Sequence, residues 1–172
     1  MFDFKKYLSR VEDEHLSGLF SRYKGHRDVL MLRLLRKYGM RASELLGLKV
    51  SDLDFDGLGF TVSGLKGSHP RFFPVPPDLF DELRKIAKEC SGVDDRLFPI
   101  GYSRLGQIWR MYRPSKKPLH SLRHTFAVEM YEKTRDPLYL QESLGHKSMA
   151  STLVYARVIN KEQKDRRYFC GK

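Results

Sequence analysis

The chain has 172 residues and a mass of 20.2 kDa, which suffices for one domain with a sizeable core but hardly for two. Lys and Arg number 32 against 21 Asp and Glu, so the formal net charge at pH 7 is +11. The excess is concentrated in the last third, where Arg113 to Lys172 includes 13 basic and 6 acidic residues. This distribution favours a polyanionic partner, nucleic acid before an anionic membrane surface, with a solvated basic face as the alternative.

The composition excludes several other classes of protein. A hydrophobic fraction of 41% with 12% aromatic residues argues against a largely disordered chain. No apolar run approaches the roughly 18 residues of a membrane span, and the first residues lack the apolar stretch of a signal peptide. Cys90 and Cys170 are too few for a disulfide framework or a cysteine zinc site, and we expect free thiols. We therefore expect a cytoplasmic protein that binds no membrane, and, if the polyanionic partner is DNA, one associated with the nucleoid.

The first helix that the pattern predicts is His26–Tyr38, where apolar residues recur with the spacing of a buried helix. Gly39 follows at the position of a helix C-cap. A short second helix is expected to begin at Arg41 or Ser43 and to end near Gly47.

The pattern then changes, because two short alternating runs separated by glycines and a proline predict a hairpin with strands at Leu58–Val62 and Arg71–Val75. Helical spacing returns at Asp78–Lys88 and Ser103–Tyr112, and it continues from Ser121 with interruptions at Asp136-Pro137 and Gly145. The sequence therefore predicts one domain over residues 1–172, mainly α with a small antiparallel sheet inserted early.

Three cationic or protonatable side chains share one helical face near a helix N-terminus: His120, Arg123 and His124. They repel one another and the positive end of the helix dipole, so the arrangement is favourable only when an anion neutralises it. An oxyanion or phosphate site is the preferred interpretation, and a metal site and a structural histidine pair are the alternatives. The zincin metal motif needs a glutamate beside its first histidine, where this chain has Ser121.

Further motifs accompany this face in a fixed order. Tyr38–Leu48 reads Tyr-Gly-Met-Arg-Ala-Ser-Glu-Leu-Leu-Gly-Leu, and Leu-Gly-His-Lys-Ser begins at Leu144, shortly before Tyr155. With these motifs and the hairpin, the chain resembles the catalytic domain of the tyrosine recombinases, the phage-integrase and Xer class of DNA strand-exchange enzymes. The resemblance covers about two-thirds of the chain, from Tyr38 to Tyr155.

The resemblance implies a set of site residues. Matched motif by motif, the catalytic set is Arg41, Lys66, His120, Arg123, His146 and Tyr155, and Glu44 is the partner that orients Arg41. Tyr155 matches the nucleophile, and Tyr168 is the alternative tyrosine. Lys66 matches the lysine of the family's β-hairpin. No metal or other cofactor is implied.

The chemistry of these side chains agrees with such a reaction. Planar arginine forks suit the non-bridging oxygens of a phosphodiester, where negative charge develops in the transition state. Two arginines in the pocket are expected to favour the phenolate of Tyr155, with His120 accepting its proton and Lys66 protonating the departing 5′-oxygen. The family precedent is a 3′-phosphotyrosine that conserves the energy of the phosphodiester bond.

The implied partner is double-stranded DNA, with a monomer in free solution and a tetramer on the duplex. The tail, residues 157–172, combines six basic side chains with an apolar subset. We expect it to pack on its own domain or to be exchanged with a neighbouring protomer, with Asn160–Arg167 as a flexible hinge. We also expect the chain to lack the N-terminal core-binding domain that usually precedes the catalytic domain in this family.

Two other functions remain open at this point. One is the relaxation of supercoiled DNA by a reaction similar to that of type IB topoisomerases. The other is DNA binding by a module that retains the fold without turnover.

Overall fold

Eight α-helices and one three-stranded antiparallel sheet form the described part of the chain, residues 6–63 and 70–170 of a computed structural model. The helices are α1 (Arg10–Arg22), α2 (Arg27–Tyr38), α3 (Ala42–Gly47), α4 (Pro77–Lys88), α5 (Tyr102–Tyr112), α6 (Ser121–Thr134), α7 (Pro137–Leu144) and α8 (Met149–Cys170). None of these described helices has both the length and the apolar character needed to cross a bilayer. The prediction of a mainly α fold with a small sheet inserted early is confirmed.

The sheet follows α3 and a single 3₁₀ turn in the chain. Its strands, in the order in which they pair, are β1 (Leu53–Asp54), β2 (Gly59–Val62) and β3 (Arg71–Pro74). In the register of β2 and β3, Phe60 lies opposite Phe73 and Val62 lies opposite Arg71. The predicted hairpin strands correspond to β2 and β3, whereas two residues are too few for β1 to show an alternating pattern.

Glycines in the left-handed conformation end α2 and α7; the sequence predicts the cap at Gly39 and an interruption of the helical pattern at Gly145. Gly39 has a φ of 60° and Gly145 has a φ of 62°. Residues with a Cβ atom adopt this conformation only at a cost, so glycine is favoured at both positions. At the N-terminus of α7, the cap residue is Asp136. Its side chain accepts hydrogen bonds from the first free N–H groups of the helix.

The larger hydrophobic core surrounds α2, which is buried on almost every side. Its buried side chains are Val29, Leu30, Met31, Leu32, Leu34, Leu35 and Tyr38. Phe60 of the sheet and Phe80 of α4 belong to the same core and are fully buried. The helix therefore serves as the central support on which α1, α3 and α6 pack.

A second, smaller core lies between α6, α7 and α8. Phe126 and Tyr131 of α6 and Leu140 of α7 are buried there. Tyr155 of α8 belongs to this core and is only 4% exposed. The predicted nucleophile is thus part of the hydrophobic packing that attaches α8 to the domain.

The hydrophobic pattern of the sequence does not predict α1. The helix has few apolar residues, and only Leu16 is fully buried, so its hydrophobic periodicity is weak. Its start carries a capping box, in which the Ser9 side chain accepts from the Glu12 N–H and the Glu12 side chain accepts from the Ser9 N–H. The spacing of Ser9 and Glu12 is the signal that indicates this helix.

The backbone of α8 is helical without interruption from Met149 to Cys170. The prediction of a flexible hinge at Asn160–Arg167 is therefore wrong, because these residues continue the helix that begins before Tyr155. Near its end, Tyr168 is 84% exposed and Phe169 is 77% exposed.

Gly39→Ala is expected to lower the free energy of unfolding by at least about 2 kcal/mol, measured by urea denaturation. The left-handed conformation costs a residue with a Cβ roughly 1–2 kcal/mol, and a Cβ at Gly39 would overlap the ring of Phe126. Gly18→Ala is the matched control, because Gly18 lies inside α1 with open space around it. The control should be neutral or stabilising by about 0.5–1 kcal/mol. Similar behaviour of the two variants would contradict this account of the α2–α6 contact.

Candidate active site

One buried carboxylate forms the centre of the candidate site. Glu44, in the first turn of α3, is 4% exposed. Its Oε1 atom accepts hydrogen bonds from Arg41 Nη1 at 2.8 Å and from Arg71 Nη2 at 2.7 Å. The guanidinium of Arg123 lies 3.9 Å from Oε2, close enough for an ion pair although too far for a hydrogen bond. The carboxylate therefore brings together arginines from the start of α3, from β3 and from α6.

The same arginines also donate hydrogen bonds to the C-terminal end of α7. The donor–acceptor pairs are Arg71 with the carbonyl of Ser143 at 3.3 Å, Arg123 with that of Leu144 at 2.7 Å, and Arg41 with that of Gly145 at 3.5 Å. Arg123 donates in addition to the carbonyl of Gly39, at the end of α2. Carbonyls at a helix C-terminus lack partners within the helix and lie at the negative end of its dipole, so cations stabilise them.

The cluster keeps an excess of positive charge. Three guanidinium groups face the single carboxylate of Glu44, and the helix ends supply only partial negative charges. The pKa of Arg123 is lowered to about 10 by burial and by repulsion from Arg41 and Arg71, against the attraction of Glu44. Burial also lowers the pKa of Arg71. An anion placed beside these groups would relieve this repulsion.

Three histidines surround the arginines. His120 is the residue that precedes α6, and His124 lies one turn further along, with the two ring centroids 4.6 Å apart in an edge-to-face arrangement. His146 follows the Gly145 cap, and its Nδ1 atom is hydrogen-bonded to the Thr152 hydroxyl at 2.9 Å. Burial and nearby positive charges lower the pKa values of His124 and His146 to about 4, so both rings are neutral at pH 7.

Tyr155 faces these histidines from α8. Its hydroxyl is hydrogen-bonded to Nδ1 of His124 at 2.9 Å, and its ring is nearly parallel to that of His146, with centroids 6.5 Å apart. Burial raises the pKa of Tyr155, and this effect outweighs the opposite effect of Arg123 and Arg41. The two arginines act in the predicted direction, towards the phenolate, but burial outweighs them, so the neutral phenol is the stable form in this structure.

The structure brings together most of the residues that the sequence indicates. Arg41, Glu44 and Arg123 form the charged cluster, His120 and His146 lie beside it, and Tyr155 packs against the histidines. Lys66 lies outside the described residues, so its place in the site stays a prediction.

The site contains two further residues, Arg71 and His124, for which the sequence motifs predict no role. Arg71 is predicted only as the first residue of a strand, and His124 only as a member of the α6 face. The signal at Arg71 was its position opposite Val62, whose side chain is buried, but the pairing of β2 with β3 is a tertiary fact. Among the described residues, no group of three or more His, Cys, Asp or Glu side chains is placed to hold a metal ion.

Comparisons with solved structures identify the fold. A crystal structure of XerA recombinase matches 94% of this chain and 63% of that chain, with a TM-score of 0.72 and 23% identity. The catalytic domain of bacteriophage HP1 integrase matches over 95% of this chain and 94% of that chain, with a TM-score of 0.65 and 23% identity. XerH recombinase, bound to a palindromic difH substrate in a post-cleavage complex, matches over 99% of this chain and 54% of that chain, with a TM-score of 0.73 and 23% identity. The fold is that of the catalytic domains of tyrosine recombinases.

Sequence comparisons identify the family. The model of the phage integrase family matches residues 10–162, and the chain belongs to that family. Tyrosine recombinase XerA of Pyrococcus furiosus is 33% identical over 81% of this chain and 53% of its own length. Tyrosine recombinase XerC of Actinobacillus succinogenes is 31% identical over 93% of this chain and 60% of its own length. The chain thus spans little more than half the length of these relatives.

Glu44→Gln is expected to lower the free energy of unfolding by about 3–5 kcal/mol, because it leaves the buried guanidinium groups without a counter-charge. Urea denaturation at pH 7 measures the loss. Asp81→Asn is the matched control, since Asp81 also pairs with an arginine three residues away, with side chains 40% and 60% exposed. Removing such an exposed pair costs less than about 1 kcal/mol. Equal losses in the two variants would show that Glu44 does not hold the cluster together.

Proposed function

We propose that this domain cleaves and rejoins strands of double-stranded DNA by transesterification at Tyr155, as in site-specific recombination and DNA integration. The observation that carries the proposal is the excess of positive charge around Glu44, directly beside a tyrosine. The family of the chain and the DNA-bound state of the XerH structure support it. The named relatives are recombinases, which favours strand exchange over the relaxation of a single supercoiled duplex.

In this reaction the arginines hold the scissile phosphate. Arg41 has a side chain that is 34% exposed, so it can reach a ligand while it keeps its contact with Glu44. Arg123 is almost fully buried, and both its Nη atoms already donate hydrogen bonds to backbone carbonyls. It therefore supplies positive charge from within the domain. His120 and His146 add hydrogen-bond donors to the non-bridging oxygens. Each preorganised donor of this kind is typically worth on the order of 10²–10³ in rate.

The bond changes are balanced without a nucleotide cofactor. The Tyr155 oxygen forms a bond to phosphorus and the bond from phosphorus to the 5′-oxygen breaks, leaving a 3′-phosphotyrosine and a free 5′-hydroxyl. The phenol gives up its proton to a base, for which the sequence indicates His120, and Lys66 protonates the 5′-oxygen. The reverse sequence with a new 5′-hydroxyl rejoins the strand. One phosphodiester replaces another, so no external energy source is required.

The hydroxyl of Tyr155 has to become accessible to the scissile phosphate before it reacts. Its side chain is 4% exposed and its hydroxyl is hydrogen-bonded to His124, so a DNA phosphate cannot reach the oxygen in this arrangement. We propose that α8 shifts when the domain assembles on DNA, because α8 carries both Tyr155 and the exposed residues Tyr168 and Phe169. The exposed Tyr168 and Phe169 support docking of the tail on a neighbouring protomer. The protein would then be a monomer in solution and a tetramer on DNA.

Tyr155→Phe is expected to abolish the covalent adduct with nicked duplex DNA while DNA affinity stays within a few-fold. The change removes only the hydroxyl and keeps the ring in the core between α6, α7 and α8. Denaturing gel electrophoresis after incubation measures the adduct, and Tyr168→Phe is the control, because that tyrosine is 84% exposed on the tail. A normal adduct from Tyr155→Phe together with a lost adduct from Tyr168→Phe would move the nucleophile to Tyr168.

Lys66→Ala is expected to reduce cleavage of ordinary DNA by roughly 10²–10⁴, the usual contribution of a general acid. A substrate with sulfur in place of the 5′-bridging oxygen should restore most of the rate, since the thiolate leaves without protonation. Single-turnover cleavage of both substrates measures the effect, and Lys85→Ala, an exposed lysine of α4, is the control. Equal losses on the two substrates would mean that Lys66 acts through binding or folding.

A further inference from the structure

Arg71 is a buried arginine that the proposed reaction does not yet use. It is the first residue of β3, and its side chain is only 8% exposed. Burial of an arginine is costly unless its donors are paired, so a position like this one requires specific partners. The partners of Arg71 belong to two different elements that carry residues of the candidate active site.

The first partner is the carboxylate of Glu44. Arg71 Nη2 donates to Oε1 at 2.7 Å, and Arg41 Nη1 donates to the same oxygen at 2.8 Å. The two guanidinium groups therefore share one acceptor atom. A displacement of this oxygen moves the anchor of Arg41, so the position of Arg41 depends on the contact made by Arg71.

The second partner is the C-terminal turn of α7. Arg71 Nη1 donates to the carbonyl of Ser143 at 3.3 Å. A Cβ atom at Gly145 would overlap the guanidinium group of Arg71, so the glycine allows the arginine to lie directly against the turn. His146 follows this turn, and the carbonyl of Gly145 accepts from Arg41. Arg71 thus contacts the segment that places His146.

We propose that Arg71 is a positioning residue for strand cleavage, which bridges Glu44 and the end of α7 and so sets the placement of Arg41 relative to His146. This inference rests on the proposed function. Arg71 acts through Arg41 and does not itself contact the phosphate, since its guanidinium is buried between protein partners. Glu44 and the Ser143 carbonyl lie in different directions from the guanidinium group of Arg71. Only a side chain with two donors in a fixed planar arrangement can bind both at once.

Arg71→Lys tests this requirement, because lysine keeps the positive charge for Glu44 but lacks the planar fork that reaches the Ser143 carbonyl at the same time. The control is Arg84→Lys on α4. Arg84 also pairs with an acid, Asp81 at 3.2 Å, and it lies over a phenylalanine ring. Its side chain, however, is 40% exposed and away from the site.

The measurement is single-turnover cleavage of nicked duplex DNA, with DNA affinity and the unfolding midpoint determined for each variant. We expect Arg71→Lys to cleave about 10- to 100-fold more slowly than the wild type, a smaller loss than the roughly 10²–10³ for removal of a donor, because Arg41 is misplaced and not removed. DNA affinity should stay within about two-fold, and Arg84→Lys should cleave at the wild-type rate. A normal cleavage rate in Arg71→Lys would overturn the proposal.

A double-mutant cycle with Arg41→Lys separates positioning from a general loss of structure. If Arg71 acts through Arg41, the double variant should cleave about as slowly as Arg41→Lys alone, because the second change has nothing left to misplace. If the two rate losses multiply instead, Arg71 acts independently of Arg41, and the proposal is overturned. A wild-type protein that forms no covalent adduct at all would refute the proposed function, a result distinct from either outcome of the cycle.

Gly145→Asn keeps the proposal testable if Arg71→Lys does not fold. Asparagine tolerates the left-handed conformation of Gly145 better than other residues with a Cβ, and its Cβ displaces the guanidinium of Arg71 from the turn. We expect the same loss of cleavage with unchanged DNA affinity. A folded Gly145→Asn variant that cleaves at the wild-type rate would overturn the proposal.

Discussion

The carboxylate of Glu44 is the interaction on which the candidate active site depends. It lies buried among the guanidinium groups of Arg41, Arg71 and Arg123, which come from three separate parts of the chain. Each of these cations would be costly to bury alone, and the carboxylate makes their burial possible by pairing with them. Because one carboxylate does not neutralise three cations, the cluster is held together and yet remains attractive to an anion. The same carboxylate thus holds the cluster together and leaves it with a net positive charge.

Carbonyl groups at two helix ends also bind the arginines of the cluster. The ends of α2 and α7 direct their free carbonyls at the arginines, and both ends are turned by left-handed glycines, Gly39 and Gly145. Each glycine also lets a side chain approach closely, Phe126 in one case and Arg71 in the other. The two turns therefore satisfy backbone acceptors and orient the guanidinium groups at once. Substitutions there disturb the core and the site together.

Burial has the opposite consequence for Tyr155. The residue contributes to the core between α6, α7 and α8, and in that place its pKa is raised in spite of the nearby arginines. The described arrangement thus stabilises a protonated phenol hydrogen-bonded to a neutral His124. Tyr155 is therefore shielded from solvent in this arrangement. The proposed reaction therefore requires a movement of α8 that exposes Tyr155.

By itself, the sequence determined the helical class of the domain, the hairpin and the cap at Gly39, because periodicity and short-range spacing are local properties of the chain. It also indicated a set of site residues through motifs that resemble those of the family. The spacing of Ser9 and Glu12 is a local signal for α1, but the weak amphipathicity of that helix left it unpredicted. Only the tertiary structure decided that Arg71 joins the cluster, since its partner Glu44 is 27 residues away and the α7 turn is 72 away. The protonation of Tyr155 was also decided there, because the balance between burial and two arginines depends on packing that no local pattern encodes.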